Sequence, residues 1–167
     1  MDTFFEQIIS IKKSLGNIAC MVGIWILALP LCFLAYLIIP YLSALLIMGI
    51  LYGAFKLSTM FNVEYEYIVT NGTLDIDKII NKSKRKRILS FELPNVTRLE
   101  KYIPSILNNV NIKDVTFACN KEDGNAYLIV AEKEGKNPYY LVMSPNDKIK
   151  SAIVKYVPKF ISNSAFK

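Results

Sequence analysis

The chain contains no histidine. That excludes Ser-His and Cys-His nucleophile pairs and every metal site built on imidazole. Cysteine is scarce: Cys20 and Cys32 lie in an apolar stretch, and Cys119 lies far away in a predicted strand. With no CxxC and no even framework, three buried, reduced thiols are expected. Charge is missing from a long segment, because no Asp, Glu, Lys or Arg occurs between Ser14 and Phe55. Beyond Glu64 charged residues recur every few positions. The boundary separates a lipid-facing part from a water-facing one.

The apolar run of residues 15–60 is too long for one membrane span. As a single helix rising ~1.5 Å per residue it would overshoot a ~30 Å hydrocarbon core about twofold. Two spans fit, roughly residues 17–38 and 41–59, turning at Ile39-Pro40-Tyr41. Proline lacks the N–H that would continue the first helix, and Pro30 predicts a kink inside that helix. A cleaved signal peptide is not expected: the first span exceeds a signal core, no Ala-x-Ala site follows, and a second span comes at once. Lys12 and Lys13 precede the first span, Lys56 ends the second, and the turn is uncharged. Such a bias places flanking lysines on the cytoplasmic side. The expectation is therefore a two-span protein of the cell membrane with both termini cytoplasmic. Phe4, Phe5, Ile8, Ile9, Ile11 and Leu15 fall on one side of a helix. Residues 1–14 are thus expected to form a short amphipathic helix at the interface.

Beyond Phe61 the pattern becomes period two. Val63, Tyr65, Tyr67 and Val69 alternate with Glu64, Glu66 and Thr70, a half-buried strand. Asn71-Gly72 marks a type I′ hairpin turn, since both central positions need positive φ. The strand returns with Leu74 and Ile76. Residues 88–92 read as a third strand, Pro94-Asn95 as a turn and Val96–Lys101 as a fourth strand. After an irregular stretch at 102–111 come strands at 112–119, 126–132 and Tyr139–Met143, with turns at Asp123-Gly124 and around Gly135. A closing helix is signalled by Ser144 as N-cap, Pro145 at the first helical position and Asp147 as the capping-box acid. Ile149, Ala152, Ile153, Tyr156 and Val157 then share one face, and Pro158 ends the helix. The division is 1–14 interfacial segment, 15–60 helical hairpin and 61–167 cytoplasmic domain.

Four strands, three strands and a helix are the order of a pleckstrin-homology-like fold. Another small barrel or α+β sheet has the same count. Three stretches sharpen the choice: Tyr65-Glu66-Tyr67 leading into Asn71-Gly72-Thr73-Leu74-Asp75-Ile76, the run Lys84-Arg85-Lys86-Arg87 before Phe91, and Ser144-Pro145-Asn146 through Tyr156-Val157-Pro158. In these the chain resembles an uncharacterised family of small bacterial membrane proteins with two N-terminal spans and a pleckstrin-homology-like domain. The likeness runs from Val63 to Phe160. It implies an α+β chain: a transmembrane hairpin, then an antiparallel sandwich of about seven strands with a capping helix. It supplies no catalytic or ligand residues.

Candidate sites come from charge and small residues. Lys82, Lys84, Arg85, Lys86 and Arg87 crowd one hairpin turn, which antiparallel pairing returns to the membrane-proximal end. There, anionic headgroups attract basic residues by ~1 kcal/mol each; the plain alternative is a solvated turn. Nucleic acid is not an expected partner: beyond Phe61 there are 17 basic against 12 acidic residues, and no recognised motif accompanies them. Asp75 and Asp77 share a strand face, as a hard metal would require, but lack further ligands, so a solvated face is expected. Gly49 with Gly53, and Ala19 with Gly23, have the spacing that lets helix backbones approach. They serve either the hairpin's own packing or contact with a second copy or a partner's helices. Strand aromatics such as Tyr139 and Tyr140 are read as core or cross-strand pairs, with one of those two exposed. The functional expectation is a non-catalytic membrane-anchored binding or scaffold module, without cofactor or metal, whose partners are anionic lipid, a protein or another copy. A transport or envelope-complex component built by hairpin oligomerisation is the first alternative, and a membrane-surface enzyme the second.

Overall fold

A computed structural model describes residues 3–107, 110–120, 123–132 and 137–165. The chain divides into two compact units. One comprises Met1–Ile11, Glu64–Ile79 and Arg85–Lys167, and the other Lys12–Val63 and Ile80–Lys84.

The second unit is a helical hairpin. Helix α1 (Leu15–Ile38) and helix α2 (Ser43–Thr59) are joined by a 3-10 turn at Pro40–Leu42. Pro30 is accommodated inside α1. The helical segments Leu15–Ile38 and Pro40–Thr59 are long and apolar enough to cross a membrane. Few of their residues are buried: Ala28 on α1, and Ser43, Ala54 and Ser58 on α2. Side chains this small let two backbones approach closely. The large residues Leu27, Leu29, Phe33, Leu45 and Met48 stay exposed, which is the reverse of a core helix in a soluble protein.

The first unit is a two-sheet sandwich. Its first strand corrects the expected interfacial helix. Residues Phe4–Ser10 form β1, which pairs antiparallel with β2 (Val63–Thr70) from Phe4↔Thr70 to Ser10↔Glu64. Phe5 and Ile9 face the core, while Phe4, Glu6, Ile8 and Ser10 face out. The run Phe-Phe-Glu-Gln-Ile-Ile satisfies either period, and a partner strand far along the chain decides it. In chain order the apolar hairpin therefore falls between the first two strands of this sheet, where a domain beginning only at residue 61 was expected.

Strands β3 (Thr73–Ile80) and β4 (Lys84–Glu92) complete the first sheet in the order β1-β2-β3-β4. Asn71 and Gly72 have φ of 48° and 92°, the expected turn geometry. A Cβ on Gly72 would lie 3.1 Å from Tyr156 Cδ1, so glycine is required there twice over. The second sheet holds β5 (Val96–Lys101), β6 (Val115–Phe117), β7 (Tyr127–Ala131) and β8 (Tyr139–Met143) in the order β5-β7-β8-β6. Eight strands replace the expected seven among the described residues. The fourth expected strand, β5, belongs to the second sheet, and β6 runs parallel to β8, so these strands are not a meander. The turn expected around Gly135 falls outside the described residues.

Helix α3 (Asp147–Tyr156) begins two residues later than Ser144 would place it. Asn146 is the N-cap, its Oδ1 accepting from the Ile149 amide at 2.9 Å. Pro158 ends that helix but introduces another, α4 (Lys159–Ala165). Tyr67, Val69, Leu74, Ile76, Leu141 and Ile153 lie at the centre of one core between the sheets and α3. Tyr102, Ile106, Leu107 and Val110 join a second cluster on the far face of the second sheet, around Leu128, Val130 and Val142. Tyr139 therefore packs on the first core and Tyr140 on the second; both are partly buried, where one exposed ring was expected.

Tyr67 ties the layers together. Its buried hydroxyl donates to the Ala118 carbonyl at 2.6 Å and accepts from the Ser144 amide at 3.2 Å. Burial pushes this phenol well above its ordinary range. Tyr67→Phe leaves both backbone groups unpaired in the core, and should cost about 1–3 kcal/mol in denaturant unfolding of the full chain in detergent. The position of β1 yields a second prediction. Residues 62–167 alone should not fold, whereas joining Ile11 to Val63 through an Asn-Gly turn should give a soluble, cooperatively unfolding domain, read by near-UV circular dichroism.

Candidate functional site

Every ionisable carboxylate is missing from the hairpin unit, whose charged residues are Lys12, Lys13, Lys56, Lys82 and Lys84. All sit at the open end of the hairpin. Lys12 and Lys13 precede α1 and Lys56 lies in the last turn of α2. Lys82 and Lys84 join them through the turn between β3 and β4, where the Asn81 amide donates to the Asn62 carbonyl at 2.8 Å, just beyond α2. The closed end, Ile39-Pro40-Tyr41, bears no charge. Asn81 and Lys82 both adopt positive φ, 52° and 53°. Asparagine tolerates this conformation and lysine rarely adopts it, so the turn keeps Lys82 at its tip at some conformational cost.

The basic run that reads as one patch in sequence is divided by the fold. Arg85 reaches Glu66 at 3.0 Å. Arg87 pairs with Asp75 at 2.8 Å through one terminal nitrogen and with Asp77 at 2.8 Å through Nε. Ser90 Oγ donates to Asp75 at 2.6 Å. Strand alternation sends Lys84 and Lys86 to the opposite face, and no salt bridge engages Lys82, Lys84 or Lys86 among the described residues. Asp75 and Asp77 are thus not a solvated face: an arginine occupies the place between them that a metal would take. Among the described residues no group of three His, Cys, Asp or Glu side chains has a metal-binding arrangement.

Glu66 lies beneath this network, fully buried. Burial, followed by a hydrogen bond to the Glu6 side chain, raises its carboxyl above the ordinary range, and Arg85 only partly offsets them. The two glutamates sit on β1 and β2, in neighbouring register positions. Nothing in the sequence marks Glu66 as buried, because its cover comes from β1. Burial, then nearby Asp123, pushes the Cys119 thiol up to about 11, so this cysteine is an inert core residue.

A Cβ added at Gly23, Gly49 or Gly53 meets nothing within 4 Å, and Ala19 is exposed. The small apolar residues buried on α1 and α2 are Ala28 and Ala54.

A domain of two four-stranded sheets followed by a C-terminal helix, in a chain that also holds two apolar helices, is the class defined by these features. A family model described as a bacterial PH-like domain (DUF6106) matches residues 1–163, and the chain belongs to that family. Its match starts at residue 1, in keeping with a sandwich that includes β1. Neither a curated protein nor a solved structure matches.

Because the fold favours the protonated form of Glu66, its stabilising contribution is fully present below the ordinary value of 4.5 and is lost as pH rises through the raised value. Glu66→Gln should therefore gain stability relative to the parent as pH increases from 5 to 8. Urea unfolding of both proteins in detergent at the two pH values measures this; an unchanged gap between them contradicts it.

Proposed function

We propose that the chain is a non-catalytic binding or scaffold module anchored in the cell membrane by its helical hairpin, with both termini on the cytoplasmic side. The observation that carries this reading is the lysine collar. Five lysines and no acid lie at the open end of two apolar helices, and no charge lies at the other end. Lysines flanking spans favour the cytoplasmic side, and anionic headgroups attract each by ~1 kcal/mol. Helix insertion supplies the affinity for the bilayer, and the collar sets depth and orientation. Arg85 and Arg87, committed to carboxylates of the first sheet, contribute less to headgroup contact than Lys82 and Lys84. The non-catalytic reading is supported by the lack of histidine and by the pairing of Glu66, Asp75 and Asp77 with arginines.

A second reading concerns assembly. Gly49 and Gly53 have open space where a Cβ would be, which favours their use against another helix in the membrane over the hairpin's own packing. On that reading the chain is an accessory subunit or self-associates.

Orientation is tested by cysteine accessibility in cells, in a variant lacking Cys20, Cys32 and Cys119. A cysteine at Tyr41 should react with an impermeant maleimide in intact cells, and one at Ser10 only after lysis. The opposite pattern defeats the proposal. Replacing Lys12, Lys13 and Lys56 with Gln should produce a mixed orientation, with both sites partly labelled from outside.

A further inference from the structure

The first sheet ends at β4. A terminal strand presents one row of backbone N–H and C=O groups without a partner strand. In β4 the row is long and uncovered, because five successive residues, Lys84 to Ile88, are exposed. The other terminal strand of this sheet is differently placed. On β1, Gln7 donates to the Ser144 carbonyl and accepts from the Asn146 amide, and the Ser10 carbonyl accepts from Asn120. The C-terminal segments thus occupy β1, while the described residues leave β4 open.

Charge says what fits there. Lys84 and Lys86 project from one face of the strand without a salt bridge among the described residues, and Lys82 stands at the adjoining turn. Arg85 and Arg87, which alternate with them, are paired with Glu66, Asp75 and Asp77. Ile88 continues the strand with 37% of its surface exposed, an apolar contact next to the cationic one. Lysines on an edge discourage pairing with another copy, which brings the same charges. They favour a strand of opposite charge, since side chains directly across a ladder lie about 5 Å apart.

We propose that the open edge of β4 accepts, by β-addition, an extended acidic segment of a partner protein. Its backbone would complete the ladder along residues 84–88, with alternate Asp or Glu side chains opposite Lys84 and Lys86 and an apolar residue beside Ile88. This inference rests on the reading of the chain as a binding module and names the partner's chemistry.

The full chain in zwitterionic nanodiscs is titrated with an eight-residue peptide alternating Glu and Val, and with its Lys-Val counterpart. The Glu-Val peptide should bind saturably and slow hydrogen exchange at the outward-pointing amides of residues 84–88 by about tenfold. The Lys-Val peptide should do neither. Reversing the edge with Lys84→Glu and Lys86→Glu, both exposed, should exchange the two preferences. No protection on β4, equal protection by both peptides, or protection elsewhere overturns the inference. Protection of β4 by anionic nanodiscs alone, with no response to peptide, also overturns it: the edge then faces lipid, and the membrane-anchored reading stands. Failure of that broader reading shows separately, in the labelling pattern of Tyr41→Cys and Ser10→Cys.

Discussion

The pairing of β1 with β2 is the constraint on which the rest depends. These strands are consecutive in the sheet, yet the whole apolar hairpin lies between them. Closing so long a loop costs conformational entropy, but two antiparallel helices return the chain to where it left and much of that cost falls on their own packing. The ladder from Phe4↔Thr70 to Ser10↔Glu64 then joins both ends of the hairpin to one rigid element. Here both helix ends continue into paired strands, so the hairpin and the sheet are connected twice.

The same arrangement accounts for the electrostatics. Adding β1 to the sheet brings Glu6 beside Glu66 and buries the latter, which holds its proton above the ordinary carboxylate range. Arg85 pairs with Glu66 itself, and Arg87 answers Asp75 and Asp77. What is left of the basic run is three lysines, two of them in the unit that holds the apolar helices. Burial of carboxylates on one face of the sheet thus determines which cations remain for an external anion.

Much of this was legible in the sequence. The two helices follow from a long uncharged run interrupted by Ile39-Pro40-Tyr41, and the turn at Asn71-Gly72 follows from the need for positive φ. Local patterns of this kind carry their own evidence. The strand β1 does not: Phe4, Phe5, Ile8 and Ile9 suit a helix or a strand, and the partner that settles the matter is distant in sequence. The parallel placement of β6 beside β8 is non-local in the same way, since strand propensity says nothing about direction. Asn146 rather than Ser144 caps α3 because Ser144 is held against Tyr67 and Gln7. Of the site, the lysines were visible as charges. Their division by ion pairs was not, because it depends on which face each residue of β4 presents.

The β1–β2 register is most directly tested by crosslinking in native membranes, in a variant without Cys20, Cys32 and Cys119. Cysteines at Ser10 and Glu64, directly opposite in the ladder, should form a disulfide under mild oxidation. Cysteines at Ser10 and Ile68, about 13 Å further along at ~3.3 Å per residue, should not. Efficient crosslinking of the first pair alone is the result expected of a hairpin inserted between two sheet strands. Failure of that pair, or equal crosslinking of both, would contradict the insertion and return the N-terminal segment to an independent role at the membrane surface.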